Sequence, residues 1–390
     1  MATHRGPGGR RNGKELWMKR KHGFVGLLGL LCACLVIGGA VAATAAPKKQ
    51  QLTTVTLQLK WVTQAQFAGY YAAVAQGYYK AAGLDVKIKI GGPSITPETV
   101  VVGKQAEFGL DWLPNLFATR EKGSGLVSVA QVFARSGMTE LTWKSSGINT
   151  IAKMRGKKVG VWCCGNQPEL FAALTKNGIN PAKSSDVTIV NQPFDMSLLL
   201  KKQVDAAAAM TYNELAQVLE TKNPATGKLY QLSDLNVFKM ASPQVGTGML
   251  EDNVFVRGDW LKDPANQKTT TAFLKASFQG WIYCRDHQAA CVSIVLKNGS
   301  LLGRGHQTWQ MNEINKLVWP NPSGVGVVPA MDVAETGKIA KTYGVIKKLP
   351  AGATNYTYAK QALAQLKAAG ADVNGASWKP AVVKVTEGGK

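Results

Sequence analysis

From Leu52 onward, short strand-like runs and longer helical runs alternate along the chain, and this alternation restricts the fold more than any other feature. Val55, Leu57 and Leu59 alternate with polar residues at the period of a strand. Residues 66–82 are rich in alanine and tyrosine and stop at Gly83, as a helix does. Leu84, Val86, Ile88 and Ile90 mark the next strand, followed by a helix over 97–103 and strands over 106–110, 126–133 and 141–144. After Ser146 a second series begins, with strands over 158–162, 187–190 and 205–210 and helices over 168–176, 197–202 and 213–221. The chain then returns through Val254-Phe255-Val256, and helical patterns cover 265–297 and 308–318. Strands that alternate with helices build parallel sheets. Two such series predict two α/β lobes, with the chain re-entering the first lobe after about residue 250.

The N-terminus reads as an export leader over 1–46. Lys19-Arg20-Lys21 form a basic segment, 24–43 is almost wholly apolar, and Ala43-Thr44-Ala45 supplies a small-x-small cleavage pattern. The apolar run is also long enough to be retained as a membrane anchor. Either way the body of the protein is expected outside the cytoplasm, periplasmic or at the cell surface. Net charge is +22, and seven basic residues against the single acid Glu15 precede Phe24. The remaining excess is spread along the chain without a basic block interleaved with aromatics, which argues against a nucleic-acid partner.

Export gives the cysteines a context. Cys32 and Cys34 lie in the leader, which leaves Cys163/Cys164 and Cys284/Cys291 in the body, where thiols tend toward disulfides. Seven helical residues span about 10 Å, too far for one disulfide. A Cys284–Cys291 bridge therefore requires a helix break, for which Asp286-His287 is the expected place.

In parallel α/β sheets ligands bind beyond the carboxyl ends of the strands, so the residues following each predicted strand are the site candidates. They are Trp61, Gln66 and Phe67 (with Gln64 between), Asp111 and Trp112, Trp143, and Tyr212 and Glu214. The stretch VGVWCCGNQPEL adds Gly165, Asn166 and Gln167 in a strand–turn–helix cradle. Gly165 permits close backbone approach, Asn166 suits a helix N-cap, and Pro168-Glu169 suits a first helical turn. Aromatic rings stack a flat ligand, while amides and carboxylates read its edge. Cys163-Cys164 lacks the second spaced pair of a zinc site and has no neighbouring base. His287 and His306, the histidines of the body, lie in surface-like segments. No nucleophile elbow, Walker loop or paired-histidine zinc motif is present. These readings imply recognition of a ligand, with no catalytic residues, metal ligands or cofactor.

Four stretches carry a resemblance: LKWVTQAQFAGYYAAVAQGYYKAAGLDV, VGKQAEFGL, VGVWCCGNQPEL and VDAAAAMTYNEL. Together they resemble substrate-binding proteins of ABC importers, in the branch related to thiamine-pyrimidine biosynthesis, over about 55–318. The resemblance implies an α/β, two-lobed type II periplasmic-binding-protein fold with a ligand cleft between the lobes. It implies crossovers near 143–146 and 251–254, and a monomer that delivers its ligand to an ABC permease and its ATPase. Ligands of that branch include aminopyrimidine thiamine precursors and riboflavin. Fungal relatives that make the pyrimidine carry a histidine just before the Gly69 position and a cysteine-rich iron motif near 245–255. This chain has Phe67 and VGTGMLEDNVF there, so that chemistry is absent. Bacterial relatives often read Gly-Asn-Glu where Gly165-Asn166-Gln167 stands.

The expected organisation is a leader over 1–46, lobe 1 over 52–143, lobe 2 over 144–252, a mostly helical return to lobe 1 over 253–350, and a C-terminal helix and tail over 351–390. The expected function is capture of a small flat heterocycle, either a thiamine-precursor pyrimidine or a riboflavin-like molecule. The alternative is an exported enzyme acting on a pyrimidine-like ring.

Overall fold

A computed structural model describes residues 51–390; the leader and its cysteines lie outside the described residues. In chain order the first half contains β1 (Thr53–Gln58), α1 (Ala68–Ala75), α2 (Tyr78–Ala81), β2 (Leu84–Lys89), α3 (Pro97–Val102), β3 (Phe108–Asp111), α4 (Leu113–Glu121) and β4 (Leu126–Gln131). The chain then makes β5 (Met138–Trp143), β6 (Lys158–Val161), α5 (Pro168–Lys176), β7 (Thr188–Asn191), α6 (Ser197–Leu200), β8 (Ala206–Met210), α7 (Glu214–Leu219) and β9 (Leu235–Lys239). It returns through β10 (Asn253–Arg257) and ends in α8 (Pro264–Asp286), α9 (Gln288–Asn298), α10 (Arg304–Val318), α11 (Ala330–Thr342) and α12 (Thr357–Ala368).

Two five-stranded sheets result, ordered β2-β1-β3-β10-β4 and β7-β6-β8-β5-β9. The two orders correspond strand for strand, and each sheet is mixed rather than purely parallel. In the first, β10 runs antiparallel to β3 and β4; in the second, β5 runs antiparallel to β8 and β9. Each antiparallel strand is the first that the chain makes after crossing from the other sheet. Alternation of apolar and polar residues does not encode strand direction, so the expectation of parallel sheets missed both.

The first crossing occurs between Gln131 and Met138, earlier than the 143–146 expected from sequence. Residues 138–143, assigned to the first lobe by the sequence pattern, pair with β8 and β9 and so belong to the second sheet. The second crossing runs between Lys239 and Asn253. Gln131 ties the two together, its side-chain amide donating to the carbonyls of Phe133 and Glu251.

The main core packs α1 and α8 against each other and against the first sheet. Close approach is set at two glycines: a Cβ on Gly69 would overlap the Trp281 ring, and one on Gly280 would meet the Gly69 carbonyl. Phe108 stacks on Phe273 at 3.9 Å between centroids, joining β3 to α8. The helical pattern over 265–297 breaks at His287, whose φ of −130° and ψ of 54° separate α8 from α9. That break brings the Cα atoms of Cys284 and Cys291 to 5.2 Å, and the two are bonded. Among the described residues no helix is long and apolar enough to cross a membrane.

Candidate functional site

The carboxyl ends of β1 and β3 in one sheet and of β6 and β8 in the other converge on one cavity. Its lining comprises Lys60, Trp61, Gln64, Gln66 and Trp112 from the first sheet and Trp162, Asn166, Met210, Tyr212, Asn213 and Glu214 from the second. In this closed geometry about 20 Å³ of space is free, about enough for one water. Trp61 and Trp162 meet edge to face at 6.3 Å between centroids and 68° between planes. Tyr212 is held edge-on against Phe133 at 6.2 Å.

The first wall is organised by a buried ion pair. Lys60 pairs with Asp111 and lies 4.9 Å from the centroid of the Trp112 ring. Asp111 also accepts from the Trp112 amide at 2.6 Å and from Asn115 Nδ2 at 3.0 Å. Asp111 therefore stands behind Lys60, outside the lining, and orients the residues that face the cavity. Glu98 is buried beside this pair; burial and the neighbouring Asp111 carboxylate push its pKa well up. Gln64 donates to Gln66 Oε1 at 2.7 Å, and Gln66 donates to Asp252 Oδ2 at 2.8 Å. Burial raises the Asp252 pKa to about 7, against the lowering effect of the Gln66 bond. The other Asp252 oxygen and the Trp112 indole N–H are both buried without a well-formed hydrogen bond, an arrangement native proteins seldom leave in place without a role.

The second wall is a turn after β8. Glu214 Oε2 accepts from the Met210 amide at 2.9 Å, and Oε1 accepts from Asn213 Nδ2 at 2.6 Å. Burial raises the Glu214 pKa to about 7 while these bonds oppose the shift. Asn166 donates to the Cys163 carbonyl at 2.8 Å and faces the cavity from the turn after β6.

Of the sequence candidates, Trp61, Gln66, Trp112, Asn166, Tyr212 and Glu214 line the cavity. Phe67 is fully buried in the main core instead. Trp143 lies at the opposite end of the second sheet, because β5 is antiparallel: Met138, not Trp143, pairs with Met210 at the cavity end. There Trp143 donates to the Leu199 carbonyl at 3.1 Å and packs on Tyr230. Gly165 has φ +103°, and its close approach is to Asn115, whose Nδ2 donates to the Gly165 carbonyl at 2.8 Å. A Cβ there would come within 2.6 Å of that nitrogen. Gln167 turns back to accept from the Gly165 amide at 3.0 Å and lines an outer groove with Pro168 and Phe171.

Cys163 and Cys164 are bonded to each other, outside the cavity lining, with Cys164 exposed and in left-handed backbone conformation. Among the described residues no group of three or more histidine, cysteine and acidic side chains is arranged to hold a metal. Lys60, Trp162, Met210 and Asn213 are additions that sequence reasoning did not select. Trp162 had a visible signal, since it directly follows β6 much as Trp61 follows β1. Lys60 had none, because its partner Asp111 is remote in sequence.

The sequence profile of the family described as NMT1/THI5 like matches residues 64–291. A putative thiamine biosynthesis protein of Haemophilus influenzae is 23% identical over 236 residues, 60% of this chain and 69% of that one. The riboflavin-binding protein RibY of Chloroflexus aurantiacus is 25% identical over 189 residues, 46% of this chain and 52% of the relative. Among solved structures, a protein of Bordetella bronchiseptica superposes with a TM-score of 0.62 at 20% identity, covering 81% of this chain and 99% of that one. The ligand-binding component of an ABC-type import system from Staphylococcus aureus, solved with zinc bound, gives 0.56 at 10% identity, covering 80% and 99%. The desulfurization enzyme DSZB gives 0.51 at 12% identity, covering 80% and 99%. This chain has the periplasmic-binding-protein fold, α/β with two five-stranded sheets.

Proposed function

The chain belongs to the NMT1/THI5-like family, and from that premise we propose that it is the extracytoplasmic solute-binding component of an ABC importer, capturing a small flat heterocycle for a membrane permease. One observation carries this reading: the cavity joins three tryptophans and a tyrosine to a set of amides and one carboxylate, all at strand ends of both sheets. Rings of that kind clamp a planar ligand, and the amides and carboxylate read its edge.

The walls stand too close to admit such a ligand as they are. Entry requires the sheets to part about the two crossing segments and to close again over the bound ring. The names of the two sequence relatives point to thiamine-related and riboflavin ligands, which are planar and nitrogen-rich and fit that lining. A single fold hosts both binding proteins and an enzyme, so likeness of fold does not separate these activities. The lining favours binding, since it consists mostly of stacking rings and hydrogen-bonding amides, and no serine, threonine, cysteine or histidine is among its residues.

The test is to unfold the purified mature protein, identify by mass spectrometry any small molecule released, refold it and incubate it with that molecule, with riboflavin and with an aminopyrimidine thiamine precursor. Saturable binding with ligand mass unchanged after prolonged incubation supports the proposal. Progressive conversion of the ligand would replace it with the enzyme reading.

A further inference from the structure

One helix reaches both walls of the cavity. On α10, His306 Nε2 lies 2.8 Å from Asn213 Oδ1, while Nδ1 lies 2.9 and 3.0 Å from the two carboxylate oxygens of Glu220. The orientation of the Asn213 amide is fixed by its other end, which donates to Glu214. Its oxygen therefore faces the imidazole, and the ring has an oxygen acceptor on each side. A continuous series of hydrogen bonds runs from Glu220 through His306 and Asn213 to Glu214, and its last two members line the cavity. The C-terminal turn covers the far end, with the Gly388 amide donating to the Glu220 carbonyl at 3.0 Å.

The same helix holds neighbouring parts of the lining. Trp309 Nε1 donates to the Thr211 carbonyl at 3.0 Å. Gln307 and Gln310 both accept from the Ala65 amide, at 2.7 and 2.8 Å, and Ala65 lies between the cavity residues Gln64 and Gln66. Both ends of the Asn213 side chain are thus held, one by His306 and the other by Glu214.

We propose that His306 is a positioning residue for ligand recognition: it holds Asn213 in the conformation that presents the Asn213–Glu214 edge to the cavity. The proposal rests on the reading of this cavity as the ligand site. It assigns a role in binding to a histidine that lies outside the cavity lining and that the sequence places in a surface-like segment.

Three variants separate this role from simple space-filling. His306→Gln retains an amide donor at the reach of Nε2, His306→Asn reaches only toward Glu220, and His306→Ala removes both bonds. Hydrogen–deuterium exchange at the Met210 amide, which is bonded to Glu214, reports the turn without any ligand. Riboflavin affinity, measured on folded protein well below the unfolding temperature, reports the cavity. His306→Ala and His306→Asn are expected to speed Met210 exchange and weaken riboflavin binding by about tenfold each, with His306→Gln close to wild type in both. Exchange at Met210 that is the same in all three variants and wild type overturns the proposal, as does a His306→Gln variant no better than His306→Asn. Should wild type itself bind no riboflavin, the flavin reading of the cavity fails, and the exchange ranking alone still decides the positioning role.

Discussion

Trp61, just beyond β1, and Trp162, just beyond β6, meet edge to face at 6.3 Å, one contributed by each sheet. Edge-to-face pairs at this distance contribute about 0.5–1.5 kcal/mol beyond their buried area, so the contact favours the closed arrangement of the walls. A flat ligand that enters must part these rings or slide between them. Trp61→Ala and Trp162→Ala should each weaken ligand binding about tenfold. The double variant should lose less than the product of the two, because both act at one shared contact. Calorimetric titration of the four proteins measures this, and fully multiplicative losses would argue against a shared wall.

The Lys60–Asp111 pair is almost wholly buried, with side chains 6% and 2% exposed. Breaking such a pair from one side leaves an uncompensated charge and costs about 3–5 kcal/mol. Lys60→Met should therefore lower unfolding stability by about that amount in urea. Lys60→Met combined with Asp111→Asn should recover part of the loss.

A pH dependence follows from the crossing segments. Ser136 Oγ lies 2.7 Å from Glu169 Oε2 and 2.9 Å from Glu251 Oε1, and Glu251 Oε1 also accepts from the amides of Gly137 and Met138. One hydroxyl proton cannot serve two carboxylates, so one of the two acids carries a proton. Burial pushes Glu169 up to about 8, opposed by its bonds to Ser136 and Met249; burial and the neighbouring Glu169 push Glu251 up as well. Asp252 adds to the Glu251 shift, and burial, with the charges of Asp252, Glu251, Glu214 and Glu169 behind it, pushes the Tyr212 hydroxyl up. A carboxyl with a raised folded pKa holds its proton while the unfolded chain, with ordinary values near 4.3, has lost it. Stability therefore falls as pH rises from about 4.5 to about 8. Glu169→Gln, an uncharged mimic of the protonated acid, should flatten that fall by on the order of 3 kcal/mol, as read from urea midpoints at pH 5 and pH 8.

The two disulfides should behave differently. Cys284–Cys291 joins α8 to α9 in the main core, and closing a loop of that length contributes about 2–3 kcal/mol. The Cys163–Cys164 bond encloses almost no chain, so its loss should change unfolding stability little. It shapes the turn that carries Trp162 and Asn166, so Cys163→Ser/Cys164→Ser should weaken ligand binding more than it lowers Tm. Equal effects on both quantities would show that the turn is not part of the recognition surface.

Much of this architecture is legible in the sequence, because alternation at period two and helical runs locate most strands and helices. Strand ends then pick out Trp61, Gln66, Trp112, Asn166, Tyr212 and Glu214 as cavity residues. What fails does so for identifiable reasons. Trp143 would reach the cavity only if β5 ran toward it, and strand direction leaves no trace in residue pattern. Phe67 is one position beyond Gln66 on the start of a helix, where a single step rotates a side chain from the cavity into the core. Gln167 folds back on Gly165, a local hydrogen bond that competes with an outward-facing role. Lys60 and His306 act through partners distant in sequence, and a charge looks like surface until its partner is located.

The most direct test is a tryptophan-fluorescence titration of the protein without residues 1–46, freed of ligand by unfolding and refolding, with riboflavin and with an aminopyrimidine thiamine precursor. Saturable quenching by one of the two is expected, greatly reduced in Trp112→Phe and Trp162→Phe. A folded protein that gives no saturable change with either would contradict recognition of a flat heterocycle in this cavity.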